Sequence, residues 1–437
     1  MAFMKMTCAV FLLVGGFALS PPANATTQTS TVSPMNSERA PMPECGAPSP
    51  FERAPMPQGG AHNPLRAPND KSAPVGPTPA TSEAPSAQAS RPRRFGDYVD
   101  GPTLPMPLNV SFNGYLRLII EAIENDSRSV RVGRNDGFKA ANARIGLRVA
   151  RGDFVAYLSV DSAAGQRETF NDPDQDFMVR PRDLFIRYRL ANFASITVGR
   201  FKMPYDLGQL ETTPYRLFID QPVASRGVLP TQGLSNDGIG QGRQLGAMIH
   251  RDRLGLDWSG FDIGYALAVT NGRNLELALN DNDRVAGIGR LSMYWAESIQ
   301  LNLAGFFDNR TVGDLPEVFD EDVRGVEVSA IMNLNDFNLE GQLLYQSTDV
   351  DGRAGVEAWG AHAQVAYTVG RGFQMAYRLS YYDPINTDDA VTEHTAGVSY
   401  YPSQLPLRFM LNGTLALEQA NARVDNNRLA FLTQFVF

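Results

Sequence analysis

The sequence predicts an all-β protein, a 16-stranded antiparallel transmembrane β-barrel preceded by a disordered, proline-rich arm. Three observations support this fold class. Apolar and polar residues alternate with a period of two from 108 to 437. The connections between the alternating segments are short and long in turn. The chain ends on an apolar segment whose last residue is Phe437.

The first 25 residues have the layout of a secretory signal peptide. Lys5 precedes the apolar stretch Ala9–Leu19, and Ala23-Asn24-Ala25 supplies the small residues of a cleavage site. Because the apolar stretch is too short to span a membrane, we expect residues 1–25 to direct export and to be removed. A buried N-terminal strand is the alternative.

Residues 26–107 form the predicted arm, in which 17 of 82 residues are proline. Such a segment cannot bury enough apolar surface to offset the entropy lost on ordering it, so we expect a disordered periplasmic arm. A plain spacer and a contact with the cell wall or another periplasmic partner are both compatible with this composition.

The overall composition excludes several classes of protein. No apolar run of about 20 residues occurs in the chain, which excludes a membrane-spanning helix. The formal net charge of −8 argues against nucleic acid as a partner. Cys8 and Cys45 both precede the predicted barrel, so we expect neither a disulfide framework nor a cysteine metal site in it.

The predicted barrel domain occupies residues 108–437, and its first strand shows the pattern. Leu116 and Leu118 share one face, whereas Tyr115 and Arg117 share the opposite face. The same alternation predicts strands over 108–123, 138–149, 154–161, 183–190, 195–202, 243–250, 261–270, 284–295, 299–307, 323–332, 337–346, 356–367, 373–382, 391–401, 407–418 and 427–437. A soluble β-sandwich is the alternative fold that also produces alternation.

The connections distinguish a barrel from a sandwich. Those after strands 2, 4, 8, 10, 12 and 14 have three to five residues, whereas those after strands 1, 3, 5, 7 and 9 have 13 to 40. Short periplasmic turns and longer external loops are typical of transmembrane barrels. We therefore expect the protein in the outer membrane of a Gram-negative-type bacterium, surrounded by lipids, with both barrel termini in the periplasm.

An apolar face ends the chain. Phe431, Phe435 and Phe437 fall on one face of the last predicted strand. This face resembles the C-terminal signal that the barrel-assembly machinery recognises in outer-membrane proteins. We expect these three residues to be needed for assembly.

No motif in the sequence predicts catalysis, a metal site or a cofactor. His250, His362 and His394 fall on three separate strands without a metal-binding spacing. The acidic triplet in 172–176 has calcium-like spacing but lacks the glycine and the glutamate of a calcium-binding loop. An enzyme would need Ser, His and an acid that converge at the membrane rim, and no spacing indicates this.

Charged residues at inward-facing positions mark a candidate pore. The pore-lining candidates are Arg117, Arg144, Arg148, Arg187, Arg189, Arg200, Lys202, Arg284, Arg290 and Arg378. A basic stripe in a water-filled channel raises the local concentration of anions. The alternative is that the arginines only pair with acids across the barrel. Strict alternation would place Arg200 and Lys202 outward unless a bulge intervenes.

The longest connection, Met203–Gly242, follows the fifth strand. It carries the constriction candidates Asp206, Glu211, Arg216, Asp220 and Arg226. The stretch VGRFKMPYDL at 198–207 resembles the phosphate-selective porin O/P family, as do ARIGLRVARGDFVAYLSVD at 143–161 and VTNG at 269–272. In 16-stranded porins the third external loop folds inward to narrow the pore, and Met203–Gly242 has that ordinal position.

The resemblance implies a trimeric, 16-stranded outer-membrane channel for anions, phosphate among them. Two features depart from the family's pattern, because the barrel has only the lysines Lys139 and Lys202 and the long loop has more acidic than basic residues. We therefore expect a passive diffusion channel for small hydrophilic solutes with a mild, phosphate-like anion preference. The alternatives are a general or cation-tolerant porin, a barrel enzyme and a structural outer-membrane protein.

Overall fold

The structure is a computed structural model. It describes residues 103–104, 108–126, 132–133, 136–162, 179–229, 231–233, 236–256, 258–272, 284–296, 298–314, 317–350, 354–370, 372–384, 389–402, 405–419 and 424–437. The predicted signal peptide, the arm apart from 103–104, and the acidic triplet in 172–176 lie outside the described residues. No helix in the described ranges is long and apolar enough to cross a membrane.

Sixteen long strands within the described ranges form one closed antiparallel sheet. They are β1 (Asn109–Ile123), β2 (Gly137–Arg151), β3 (Phe154–Ser162), β4 (Val179–Ala191), β5 (Ala194–Lys202), β6 (Arg243–Arg251), β7 (Phe261–Thr270), β8 (Ala286–Trp295), β9 (Ile299–Asp314), β10 (Glu317–Leu334), β11 (Phe337–Val350), β12 (Val356–Val369), β13 (Phe373–Asp383), β14 (Val391–Tyr400), β15 (Leu407–Glu418) and β16 (Arg428–Val436). Neighbours in the chain pair with each other, and β16 pairs with β1. The predicted 16-stranded barrel is confirmed.

Successive side chains of each strand face the lumen and the outer surface in turn. On β1, Tyr115 and Arg117 are buried inside the barrel, whereas Leu116 and Leu118 are exposed on its outer face. Aromatic pairs on the outer face flank the short turns. These pairs are Phe154 with Tyr188, Phe337 with Tyr367, and Phe373 with Tyr400, with ring centroids 4.5 to 4.6 Å apart. An apolar outer face with aromatic residues near its edge matches the requirements of a lipid bilayer.

The sheet closes where the two ends of the barrel domain meet. Thr103–Leu104, at the end of the predicted arm, pairs with Val110 and Ser111 of β1. The residues of the predicted assembly signal lie on the outer face of the closing strand. Phe431 is 38%, Phe435 is 40% and Phe437 is 46% exposed.

The hairpin of β9 and β10 departs most from the predicted strands. The two strands extend through the predicted loop at 308–322, and only 315–316 separate them. Near this end of the hairpin, Arg310 Nε lies 2.8 Å from Glu321 Oε2 on the opposite strand. This ion pair and the apolar pair of Val312 and Phe319 continue the ladder, so the strands extend beyond the predicted ends.

Candidate functional site

The loop Met203–Gly242 lies inside the barrel. It contains two short helices, α1 (Leu207–Leu210) and α2 (Val223–Arg226), and a 3-10 turn at Thr213–Tyr215. Most of its apolar side chains are buried. The loop is therefore an ordered part of the barrel interior.

Apolar contacts hold this loop against the inner wall. Ile219 packs in one cluster with Met410 of β15 and Leu432 of β16. On the far side of the loop, Tyr205 donates a hydrogen bond from its hydroxyl to the main-chain oxygen of Val326 on β10, at 3.3 Å. The loop thus covers the part of the wall that runs from β10 to β16.

Arginines of the wall donate to main-chain oxygens of the loop. Arg408 of β15 reaches the oxygens of Pro214 at 3.2 Å and Arg216 at 2.6 Å. Arg378 of β13 donates to the main-chain oxygen of Asp220 at 3.0 Å, and Arg117 of β1 donates to that of Ile219 at 2.8 Å. The pattern of the sequence placed Arg117 and Arg378 on the inner face, but no local signal indicated that they would anchor the loop.

An ion-pair network joins two segments of the loop to β14 and β16. Glu393 of β14 lies 2.6 Å from Arg226 of the loop and 2.9 Å from Arg428 of β16. Arg428 also lies 3.6 Å from Asp220 of the loop. Two of the constriction candidates, Asp220 and Arg226, are therefore engaged with the wall.

A second anchor lies at the start of the loop. Glu327 of β10 accepts hydrogen bonds from the main-chain nitrogens of Asp206 at 2.8 Å and Leu207 at 3.2 Å. Arg290 of β8 lies 3.1 Å from the same carboxylate. Because the carboxylate satisfies both amides and the guanidinium, this buried group holds the N-terminus of α1 in place.

Asp206 caps α1 in a left-handed backbone conformation, with a φ of 66°. Its Oδ1 accepts hydrogen bonds from the nitrogen of Gly208 at 3.0 Å and the hydroxyl of Ser225 at 2.7 Å. Burial, together with the neighbouring carboxylate of Glu327, raises the pKa of the Asp206 carboxyl to about 7.

The wall opposite these anchors, formed by β2 to β6, is rich in arginine. Arg144 lies 2.5 Å from Asp161, and Arg243 lies 2.6 Å from Asp183. The Nε of Arg187 donates to the Thr197 hydroxyl at 3.1 Å. Three further arginines, Arg148, Arg200 and Arg216, form no ion pair with any described residue, and the Nε of each is buried without a hydrogen-bond partner there. Arg216 belongs to the loop and lies near Arg144.

Lys202 turns inward, against strict alternation. Its Nζ donates to the main-chain oxygens of Leu210 at 3.4 Å and Glu211 at 3.3 Å, and its side chain is buried. Gly199, with a φ of 126°, interrupts the regular backbone of β5 three residues earlier. The pairing of β5 shows no register shift at 197–202, so the bulge that would turn both cations inward is absent. Arg200 lies opposite Leu184, which is exposed on the outer face, whereas Lys202 reaches the loop from the last position of the strand.

Two pore-lining candidates lie at the ends of the barrel. Arg189, beside the short turn after β4, is 60% exposed in its side chain and lies 3.9 Å from Asp153. Arg284, just before β8, is 65% exposed in its side chain and lies 3.6 Å from Asp322 of the long hairpin. Both charges face solvent at the mouths of the barrel.

The arrangement separates the charges of the interior. The wall behind the loop uses its arginines and glutamates to hold the loop, whereas the opposite wall and Arg216 present cations to the remaining space. No group of three potential metal ligands occurs in the described part of the chain. The charged groups of the described interior are therefore divided between the anchors of the loop and the wall opposite to them.

Comparison with known proteins identifies relatives by fold. A family model described as Gram-negative porin matches residues 77–416. The chain is similar to an anion-selective porin from Comamonas acidovorans, at 16% identity over 76% of this chain and 100% of that chain, with a TM-score of 0.55. It is similar to OmpT of Vibrio cholerae in its trimer form, at 12% identity over 76% and 100% of the two chains, with a TM-score of 0.51.

A third solved structure has the same fold. The outer membrane channel DcaP of Acinetobacter baumannii is similar at 13% identity over 78% of this chain and 100% of that chain, with a TM-score of 0.52. A comparison with curated proteins gives no match. At these identities the similarity of the solved structures concerns the fold alone.

Proposed function

This chain belongs to the Gram-negative porin family, and from that premise we propose that it is a passive diffusion channel for small hydrophilic solutes with a mild preference for anions. The family and the barrel indicate an outer-membrane channel rather than an enzyme. Membership of the family does not indicate which solutes pass. The proposed anion preference depends on the charges of the lumen.

One observation carries the anion preference. Arg148 and Arg216 border the space opposite the loop anchors without an ion pair to a described residue. The loop acid Asp220 is engaged with Arg428 on the other side. Because guanidinium groups keep their charge at any relevant pH, they raise the local concentration of anions in the lumen.

A dedicated phosphate site has less support than a general anion preference. Of the two barrel lysines, Lys139 lies 2.6 Å from Glu121, and Lys202 donates to main-chain oxygens of the loop. We therefore propose that phosphate passes like other small anions. The barrel has no lysine cluster that would favour phosphate over them. A homotrimer completes the proposal, because the similar OmpT of Vibrio cholerae has a trimer form.

A cation-tolerant general porin is the second candidate. Asp161 and Asp183 lie on the basic wall, where each pairs with an arginine and lowers the net charge. The two candidates differ only in the sign of the charge at the narrowest passage.

The reversal potential of single channels under a potassium chloride gradient decides between them. We expect the native channel to prefer chloride. A variant with Arg148→Gln and Arg216→Gln should shift the reversal potential toward potassium, with a several-fold lower permeability ratio. Arg284→Gln, at the barrel mouth, is the control and should leave the ratio unchanged. A native channel that already prefers potassium would contradict the anion proposal.

A further inference from the structure

A bulge interrupts the pairing of β3 with β4 at Arg182. Ser159 of β3 lies opposite Asp183 of β4. The next residue of β3, Val160, lies opposite Pro181. Arg182 therefore lies opposite no residue of β3, and the register shifts at this point. An extra residue in one strand re-aims a side chain that regular alternation would place on the other face.

The bulge brings the Arg182 side chain to the inner wall. Strict alternation would place it on the outer face with Leu184, which is 53% exposed there. Instead, the Nε of Arg182 lies 3.7 Å from Oδ2 of Asp161, a buried carboxylate of the inner wall. The same oxygen lies 2.5 Å from Arg144. Alternation in the sequence does not indicate this inward position, because the bulge depends on how β4 pairs with β3.

Arg182 is the exposed member of a group of charges with an excess of cations. Asp161 pairs with both Arg144 and Arg182. Asp183 accepts two hydrogen bonds from Arg243, at 2.6 and 3.3 Å. Three guanidinium groups thus face two carboxylates, which leaves one positive charge. The side chain of Arg182 is 47% exposed, whereas the other four are at most 10% exposed. The excess charge is therefore at the group that water and solutes reach.

We propose that Arg182 is a specificity-determining residue of the channel, and that its exposed guanidinium attracts anions into the lumen along the basic wall. Arg182 lies near the start of β4, at the end of the barrel opposite the short turn between β4 and β5. A solute that enters at this end meets the guanidinium before it passes Arg187, further along the same strand. This inference rests on the proposed channel and names a residue that sets its preference.

The effect of one exposed charge is large enough to measure. A unit charge about 10 Å away in water changes the local concentration of a monovalent ion about twofold, which corresponds to about 0.4 kcal/mol at 25 °C. The charge of Arg182 attracts chloride and repels potassium, and a guanidinium keeps this charge at any relevant pH. We therefore expect its loss to lower the chloride-to-potassium permeability ratio at least about twofold at low salt.

Cysteine chemistry at position 182 tests this role. The background carries Cys8→Ser and Cys45→Ser, which removes both native cysteines. Arg182→Cys should lower the permeability ratio, measured from reversal potentials under a potassium chloride gradient. A water-soluble methanethiosulfonate that adds a trimethylammonium group to the thiol should restore the ratio. One that adds a sulfonate should lower it further.

Leu184→Cys is the matched control, because Leu184 lies two positions further along β4 on the outer face. Both reagents should leave its permeability ratio unchanged. A second pair of variants needs no thiol. Arg182→Lys retains the charge and should keep the native ratio, whereas Arg182→Gln should lower it as Arg182→Cys does.

The outcomes separate this inference from the proposed function. In a native channel that prefers chloride, reagents that leave the ratio of Arg182→Cys unchanged overturn the role of Arg182 and leave the anion channel standing. Equal responses of Arg182→Cys and Leu184→Cys, or equal ratios in Arg182→Lys and Arg182→Gln, also overturn it. A native channel that prefers potassium overturns the proposed anion preference, whereas a ratio that still follows the charge at position 182 supports the role of Arg182.

Discussion

Phe437 and Gly114 join the two ends of the barrel. The nitrogen of Gly114 donates to the oxygen of Phe437 at 2.9 Å, and the nitrogen of Phe437 donates to the oxygen of Gly114 at 3.0 Å. The ring of Phe437 covers the α-carbon of Gly114, so that a methyl group there would meet Cζ and Cε2 of the ring and would lie 2.5 Å from the main-chain oxygen of Arg144. An aromatic ring over a strand glycine shields main chain that would otherwise be exposed.

Replacement of Gly114 by Ala should therefore destabilise the seam. The added methyl group displaces the Phe437 ring and crowds the main-chain oxygen of Arg144, and we expect a loss of about 1–3 kcal/mol in the free energy of unfolding. Gly413→Ala is the matched control, because its methyl group would meet only Leu429 Cδ1, at 4.0 Å. The temperature at which the folded band is lost in gel electrophoresis measures the effect. Equal temperatures for the two variants would show that close packing around Gly114 does not stabilise the seam.

Removal of Phe437 should lower the amount of folded barrel in the outer membrane. The deletion takes away both main-chain hydrogen bonds to Gly114 and the end of the aromatic face that includes Phe435. The control is Phe409→Ala, which removes an outer-face ring that stacks on Phe431 at 6.3 Å but leaves the terminus intact. Heat-modifiable protein in membrane fractions is the measurement, and normal amounts after the deletion would contradict the assembly role.

Loss of the Arg408 side chain should loosen the constriction. Arg408→Gln removes the charged donor to the oxygens of Pro214 and Arg216, interactions of about 1.5–3 kcal/mol each. We expect a larger and noisier single-channel conductance, because this part of the loop then moves away from the wall. Arg151→Gln, an exposed residue beside the turn after β2, is the control. An unchanged current in Arg408→Gln would mean that the remaining contacts hold the loop.

The loop should be less rigid at pH 8 than at pH 5. The pKa of Asp206 is raised from 3.8 to about 7, chiefly by burial. A carboxyl whose pKa is raised on folding contributes stability that is complete below pH 3.8 and is lost as the pH rises to about 7. Above that pH the charged carboxylate is buried beside Glu327, so fluctuations of the open-channel current should increase.

Asp206→Asn tests this pH dependence. The amide keeps an acceptor oxygen for Ser225 and the nitrogen of Gly208 but carries no charge. We expect current fluctuations in this variant to be equal at pH 5 and pH 8. Asp237→Asn, at an exposed acid of the same loop, should retain the native dependence. Persistence of the dependence in Asp206→Asn would assign it to another group.

The sequence alone determined the barrel. Each strand has lipid on one side and water on the other, and successive side chains point to opposite sides. Apolar and polar residues must therefore alternate along the sequence, as in Tyr115, Leu116 and Arg117. All sixteen predicted segments coincide with strands of the closed sheet. The predicted strand ends were wrong in the hairpin of β9 and β10, where cross-strand pairs such as Arg310 with Glu321 continue the ladder. Strict alternation was also wrong for Lys202, which contacts the loop inside the barrel.

Only the tertiary structure decided which charges remain in the passage. The sequence shows a loop with more acids than bases, but Asp220 is engaged by Arg428 of the last strand and Arg226 by Glu393, which lies 167 positions away along the chain. Partners so distant leave no local pattern, because ion pairs depend on which walls face each other after the barrel closes. The same closure brings Arg216 of the loop within electrostatic reach of Arg144 of β2, so the charge of the interior depends on contacts that only the folded barrel creates.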